Sequence, residues 1–352
     1  MVLVHHVALR IPLEDTLANT LLPKWLLSAI GSRGYEAVFV FFVISGFLIT
    51  NNALNRWNSL NCISPKVFYA LRFARIAPCL FVLVAVLSVL HLLGAEDYTI
   101  WRSTQNLPRT LFAAFGFYLN WYEGQTGWLP GNWDVLWSLS IEEMFYLLFP
   151  LVCFLVRPTW LLAMTLTVFA LSLPMTRAAL ASNEIWQEKA YLPGMAAIAM
   201  GVLAALVANR LGPTPPQIRR ILYPLGVVGL FVIFVLEEFV HKSLAGFGLL
   251  LVTASTACLV IAFSVEHRAG AKRPWPGSHG LRALGRLSYE IYLTHMFVVY
   301  GVVRVYAALG GEIRFGFLWY IPAIALSILL GIAVDRVIST PSNRALRARL
   351  LR

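Results

Sequence analysis

The stretch YPLGVVGLFVIFVL, residues 223–236, runs for fourteen residues without a charged side chain, and FGLLLVTASTACLVIAF follows it at 247–263. A strand of a membrane barrel alternates apolar and polar residues over about ten positions. These two stretches are apolar on every face and read as buried helices. With their flanks, each approaches the roughly 20 residues that cross a hydrocarbon core of about 30 Å. Comparable runs lie near residues 35–54, 76–94, 134–156, 159–175, 190–208, 220–236, 243–265, 284–303 and 315–334, and an apolar stub occupies the first nine positions. Composition agrees: of 352 residues, 59% are hydrophobic and 13% charged, against roughly 45–50% and about 25% in soluble domains. A water-soluble globule is excluded. The expected fold is all-α, a polytopic transmembrane helix bundle of about ten spans with the first span truncated, forming a single domain over 1–352.

The net charge of +11 does not point to nucleic acid, because the basic residues sit in the short connections between apolar runs, where positive-inside bias places them. The loop 266–286 carries Arg268, Lys272, Arg273, Arg282 and Arg286, and the C-terminal tail carries Arg336, Arg344, Arg347, Arg349 and Arg352. Both are expected to be cytoplasmic. Alternating outward, 209–219 (Arg210, Arg219) faces the cytoplasm and 237–242 (Glu237, Glu238) the exterior. The segment 56–75, with Lys66 and Arg72, is then also cytoplasmic, provided LFAAFGFYLNW at 111–121 does not cross. The region 95–133 is therefore expected to be a long external loop holding a re-entrant or interfacial piece, with both termini inside. MVLVHHVALR has neither a basic n-region nor a small-residue cleavage site, so no cleavable signal peptide is expected. Cys62, Cys79, Cys153 and Cys258 lack metal-ligand spacing, and no metal site is expected.

Ionisable side chains inside spans are costly and are functional candidates by default. Four groups stand out. In VFYALRFARIAPCLF (67–81), Arg72 and Arg75 share a helical face and suit phosphate through their planar forks; snorkelling anchors would look the same. In DVLWSLSIEEMFYLLFP (134–150), Ser138, Glu142 and Tyr146 are four apart and form one stripe. Glu142 and Glu143 cannot share that face, so at least one must be buried. In LGRLSYEIYLTHMFVVY (284–300), Ser288, Tyr292 and His295 form another stripe, with His295 near mid-span and Glu290 off the stripe, placed to pair with a neighbouring helix. His5 and His6 in the stub fall near the external end of the first span, where an imidazole can act as general base toward a hydroxyl. The Glu142 group is equally compatible with an interhelical polar contact, His295 with a packing partner, and His5 and His6 with an interfacial position without a chemical role.

EAVFVFFVISGFLIT (36–50), FYALRFARIAP (68–78), WSLSIEEMFYLLFP (137–150) and LGRLSYEIYLTH (284–295), in that order, resemble the acyltransferase-3 family of bacterial integral-membrane O-acyltransferases. The resemblance covers essentially the whole chain. It implies transfer of an acyl group, acetyl above all, from cytoplasmic acyl-CoA to a hydroxyl of a cell-surface or secreted carbohydrate, at the bacterial inner membrane. Acyl-CoA and a glycan or lipid-linked saccharide are the implied partners, within membrane lipid and without nucleic acid. Acyl-CoA is a substrate, and no permanently bound cofactor is implied.

Carried over residue by residue, the family's histidine at the end of the first helix maps to His6, with His5 in the place of an aromatic. Its RxxR pair, for the CoA end, maps to Arg72 and Arg75, and the WSLxxE glutamate to Glu142. The SYxxYLxH element maps to Ser288, Tyr289, Tyr292 and His295. An arginine that the family places about three turns before the histidine has no counterpart here. The implied mechanism has His6 deprotonating the hydroxyl or taking the acyl group itself, with Glu142 orienting the imidazole. Two other classes are compatible with the residues alone, a proton-coupled transporter and a catalytically inactive membrane scaffold.

Overall fold

The computed structural model describes residues 1–212, 216–236, 246–268 and 277–351. Lys272, Arg273, Glu237, Glu238, Arg352 and the start of the run expected at 243–265 lie outside the described residues. Among the described residues every regular element is helical, and eight helices are long and apolar enough to cross a membrane: Gly34–Trp57, Pro65–Leu92, Gly131–Leu155, Glu184–Leu211, Gln217–Val235, Gly248–Arg268, Ser288–Ala308 and Ile313–Leu350. The chain is a multi-pass membrane protein built as an all-α bundle.

Two expected spans are shorter than a full crossing. The run at 159–175 forms Thr159–Leu171, whose 13 residues reach only about 20 Å at 1.5 Å per residue. It stops because Pro174 cannot donate to the carbonyl one turn back and the Ser172 hydroxyl bonds to the Phe169 carbonyl at 2.7 Å; a second short helix, Leu173–Ala178, follows at once. The stub forms Val2–Ala8. The stretch 111–121 is broken into Leu107–Phe115 and Leu119–Thr126, separated by Gly116 and by Phe117 in the left-handed region at φ 56°. Nine residues span about 14 Å, so this piece does not cross as a helix.

The chain folds as two compact units. The first comprises Met1–Gly34, Pro65–Trp137 and Trp275–Arg352. A helix as short as Val2–Ala8 does not hold by itself in isolation. Here it packs on the Ser288–Ala308 and Tyr320–Val334 helices, and Val7 joins a buried cluster with Leu27, Val135, Met296, Val299 and Ala323. Two further ties fix the chain after it: the Tyr320 hydroxyl donates to the Ile11 carbonyl at 2.7 Å, and the Leu17 amide to the Arg314 carbonyl at 2.9 Å. The tail expected after residue 334 is helical instead. A π-helical turn, Asp335–Ser339, leads into Thr340–Leu350, which docks on the Pro65–Leu92 helix. The wider turn makes room for Pro341, whose ring would strike a carbonyl one turn back in a regular α-helix.

The second unit comprises Tyr35–Ser64 and Ser138–Pro274. Lipid tails are as apolar as leucine, so helices in a bilayer associate through close packing, and small residues allow backbones to touch. A Cβ on Gly201 would fall 2.0 Å from the Val43 carbonyl oxygen, and one on Gly46 would fall 2.0 Å from that of Ile198. The Gly34–Trp57 and Tyr191–Leu211 helices therefore cross backbone to backbone. Gly46→Ala and Gly201→Ala are each expected to lower thermal stability in detergent by at least the about 1–3 kcal/mol of an overpacked core. Gly301→Ala, at a helical position with open space around it, is the control and is expected to leave the melting temperature unchanged.

Candidate active site

The first unit gathers His5, His6, Arg72, Arg75, Ser288, Tyr292 and His295, whereas Ser138 and Glu142 belong to the second. The neighbouring histidines of the stub do different things. His5 Nδ1 lies 2.8 Å from the Gly31 carbonyl; a carbonyl only accepts, so Nδ1 carries the hydrogen. Its ring also fills the space beside Gly34, where a Cβ would come within 2.5 Å of His5 Cδ2. His5 ties the stub to the chain that leads into the Gly34–Trp57 helix. His6 turns toward the Ser288–Ala308 helix, its ring centroid 5.2 Å from that of His295.

His295 is 1% exposed, and its Nδ1 lies 2.6 Å from the Tyr292 carbonyl. The same reasoning puts the hydrogen on Nδ1, so the neutral ring presents a bare lone pair at Nε2. That atom is enclosed and has no hydrogen-bond partner among the described residues. Tyr292, one turn earlier on the stripe, donates its hydroxyl to the Val135 carbonyl at 3.0 Å and so fixes how the helix is turned.

Two residues passed over in the sequence complete this region. Arg10 donates to the His6 carbonyl at 2.8 Å and to the Tyr300 hydroxyl at 3.1 Å, and its guanidinium lies 4.6 Å from the Tyr300 ring centroid. It clamps the end of the stub helix. The signal was a basic residue one turn after His6, legible only once Tyr300 is known to face it. Asn132 is fully buried, and neither its Oδ1 nor its Nδ2 has a hydrogen-bond partner among the described residues; it sits in the short Gly131–Asp134 helix that packs on the Ser288–Ala308 helix. Nearby, the Trp133 indole donates to the carbonyl of Tyr98, which lies outside the spans, at 3.3 Å. Burial raises the Tyr98 phenol above its ordinary pKa, and the Asp97 carboxylate adds to the effect.

The Arg72/Arg75 pair divides its work. Arg75 forks onto Glu290, Nη1 to Oε1 at 3.0 Å and Nη2 to Oε2 at 3.4 Å, and lies 5.4 Å from the Tyr289 ring centroid. The Tyr289 hydroxyl in turn donates to the Ile76 carbonyl at 2.9 Å. The expected interhelical partner of Glu290 is thus Arg75, whose fork the sequence had offered to phosphate. Arg72 and Ser288 are half-buried. In the second unit the Ser138, Glu142 and Tyr146 stripe is buried, Glu143 is buried with it, and the Tyr146 hydroxyl pairs with that of Ser45. Among the described residues no group of three His, Cys, Asp or Glu is placed to hold a metal ion.

Residues 1–336 match the acyltransferase 3 family model, an acyltransferase domain, and the chain belongs to that family. It is similar to the peptidoglycan O-acetyltransferase OatA of Listeria monocytogenes serovar 1/2a, 28% identical over 293 residues covering 74% of this chain and 44% of the relative. It is also similar to a putative O-acetyltransferase of Staphylococcus aureus strain COL, at 26% identity over 91% of this chain and 54% of the relative. The O-acetyltransferase OatA of S. aureus strain NCTC 8325 is 25% identical with the same coverage. The chain spans about half the length of these curated relatives. No solved structure matches it significantly.

The side chain of Glu290 is 0% exposed and that of Arg75 31%, which makes the pair asymmetric. Arg75→Met strands a buried carboxylate and is expected to cost about 3–5 kcal/mol, read as a fall in melting temperature in detergent. Glu290→Gln, which leaves Arg75 free to turn outward, is expected to cost less, and the double substitution to methionine should recover most of the loss. Equal effects of the two single changes would show that the carboxylate is not the dependent partner.

Proposed function

We propose that the chain transfers an acyl group, acetyl by analogy with its relatives, from cytoplasmic acyl-CoA to a hydroxyl of a cell-surface or secreted carbohydrate. The observation that carries this is the imidazole pair of half-buried His6 and buried His295, in the same unit as the arginines of the Pro65–Leu92 helix. A hydroxyl is a weak nucleophile until its proton is removed, and imidazole is the side chain best matched to that task near neutral pH. His6 is the base, and Glu142 is a second group required for transfer, carried over from the WSLxxE element. Arg72 and Arg75, carried over from the RxxR pair, take the donor's phosphates, with the Arg75 fork also held by Glu290. The relatives' names supply the acetyl group and, for one of them, peptidoglycan as acceptor. In this reading the protein lies in the bacterial inner membrane with both termini cytoplasmic and 95–133 outside.

Transfer from acetyl-CoA to a soluble N-acetylglucosamine oligosaccharide, measured in proteoliposomes, tests the chemistry. His6→Ala and Glu142→Gln are each expected to lower the rate by about 10²–10⁴-fold. Arg72→Gln is expected to raise the KM for acetyl-CoA by the equivalent of about 1.5–3 kcal/mol, the worth of a hydrogen bond to a charged group. His5→Ala should lower the melting temperature more than the specific activity. Full transfer without the His6 imidazole sinks the assignment.

Sidedness has its own test. In a protein freed of its four native cysteines, Gln125→Cys is expected to react with an impermeant thiol reagent in intact cells, and Ser278→Cys only after lysis. The reverse pattern inverts the topology.

A further inference from the structure

We infer that His295 is the proton acceptor behind His6, so that two imidazoles share the proton of acyl transfer. Leaving a buried polar atom unpaired costs about 1–3 kcal/mol, and nearly all such atoms in folded proteins are paired. His295 Nε2 is one that is not. Its state is set by a neighbour: the Tyr292 carbonyl at 2.6 Å holds the hydrogen on Nδ1, which leaves Nε2 able only to accept. Tyr292 is held in turn through its hydroxyl on the Val135 carbonyl, so the ring cannot turn over to offer Nδ1 without losing that bond. The structure thus keeps a buried, correctly tautomeric acceptor on the ring that neighbours His6, with centroids 5.2 Å apart. At that spacing two ring nitrogens directed along the line of centroids come within a hydrogen bond of each other, about 2.9 Å.

The step balances. As the hydroxyl oxygen attacks the thioester carbonyl, its O–H bond breaks and an N–H bond forms on one His6 nitrogen. The hydrogen on the other His6 nitrogen passes to His295 Nε2, giving an imidazolium. Collapse of the tetrahedral intermediate breaks the C–S bond, and the proton returns through His6 to the CoA thiolate. His6 touches the substrate, and His295 acts through it as a positioning residue.

This rests on the proposed acyl transfer with His6 as base. The test uses the full chain in proteoliposomes with acetyl-CoA and the N-acetylglucosamine oligosaccharide. In His295→Asn the carboxamide N–H replaces Nδ1–H toward the Tyr292 carbonyl, and nothing replaces Nε2. The expected result is an unchanged melting temperature, unchanged KM values, a kcat lower by about 10²-fold, and partial recovery on adding imidazole, which a packing defect would not give. Wild-type kcat in the folded Asn variant overturns the inference, as does a loss that imidazole does not relieve. Failure of both His295→Asn and His295→Gln to fold overturns it as well, by assigning the ring to packing. If the wild-type chain transfers nothing, the functional reading itself has failed; if His6→Ala is inactive and His295→Asn is not, only this inference has.

Discussion

A carboxylate with no exposed surface, inside a membrane span, has to be paired or neutral, and Glu290 meets that demand through Arg75. Much of the first unit follows from this contact. It binds the Ser288–Ala308 helix to the Pro65–Leu92 helix at one level, and the Tyr289 hydroxyl on the Ile76 carbonyl repeats the bond beside it. With the rotation of the helix set there, and set again where Tyr292 reaches Val135, the direction of His295 is no longer free. Five residues separate Glu290 from His295, about 7.5 Å along the axis, so the ion pair and the imidazole are parts of one rigid rod. A substitution at Arg75 therefore acts on the imidazole's setting as well as on any donor phosphate.

The other half of the imidazole pair stands on a helix of only seven residues. Seven residues give Val2–Ala8 too few internal bonds to persist alone, so its position is imposed from outside. Val7 is packed into the apolar cluster, His5 holds the Gly31 carbonyl, and Arg10 holds the last-turn carbonyl of His6 while reaching Tyr300. These contacts fall on both sides of His6 and leave its ring as the side chain turned toward His295. They also give a physical reason to prefer His6 over His5 as the chemical residue, since the hydrogen bond of His5 is spent on holding the backbone.

The span pattern was legible because hydropathy in a bilayer is a direct consequence of the solvent: the runs at 35–54, 190–208 and 284–303 became Gly34–Trp57, Tyr191–Leu211 and Ser288–Ala308. Where the reading erred, the cause was local backbone chemistry that hydropathy does not register. Pro174 cut one run short, and Pro341 was absorbed by a π turn that carried the last helix on to Leu350. Side-chain stripes were legible as periodicity, so the burial of at least one of Glu142 and Glu143 was anticipated, where both are buried, and the pairing of Glu290 was expected without its partner. Arg10, Asn132 and the Nδ1–H form of His295 were not legible. Each is defined by an atom far away in sequence, such as the Tyr300 hydroxyl, or by the lack of one.

Both units combine close packing with polar ties: in the second, the Tyr223 hydroxyl pairs with Glu266 and Arg268 donates to the Asn51 carboxamide oxygen at 2.9 Å. In the second unit Gly46 and Gly201 let two backbones touch, a contact with no titratable atom. The first unit is tied by Arg75, Glu290, Tyr289, Tyr292, Arg10 and His5, a polar set in which nearly every donor has a defined acceptor. Among the described residues, Nε2 of His295 and the carboxamide of Asn132 are enclosed without a hydrogen-bond partner; His295 lies on the Ser288–Ala308 helix that these ties hold, and Asn132 on the short helix packed against it. A polar framework that is satisfied at its supports can carry the cost of such atoms, which is how preorganised sites hold groups ready for a reacting molecule.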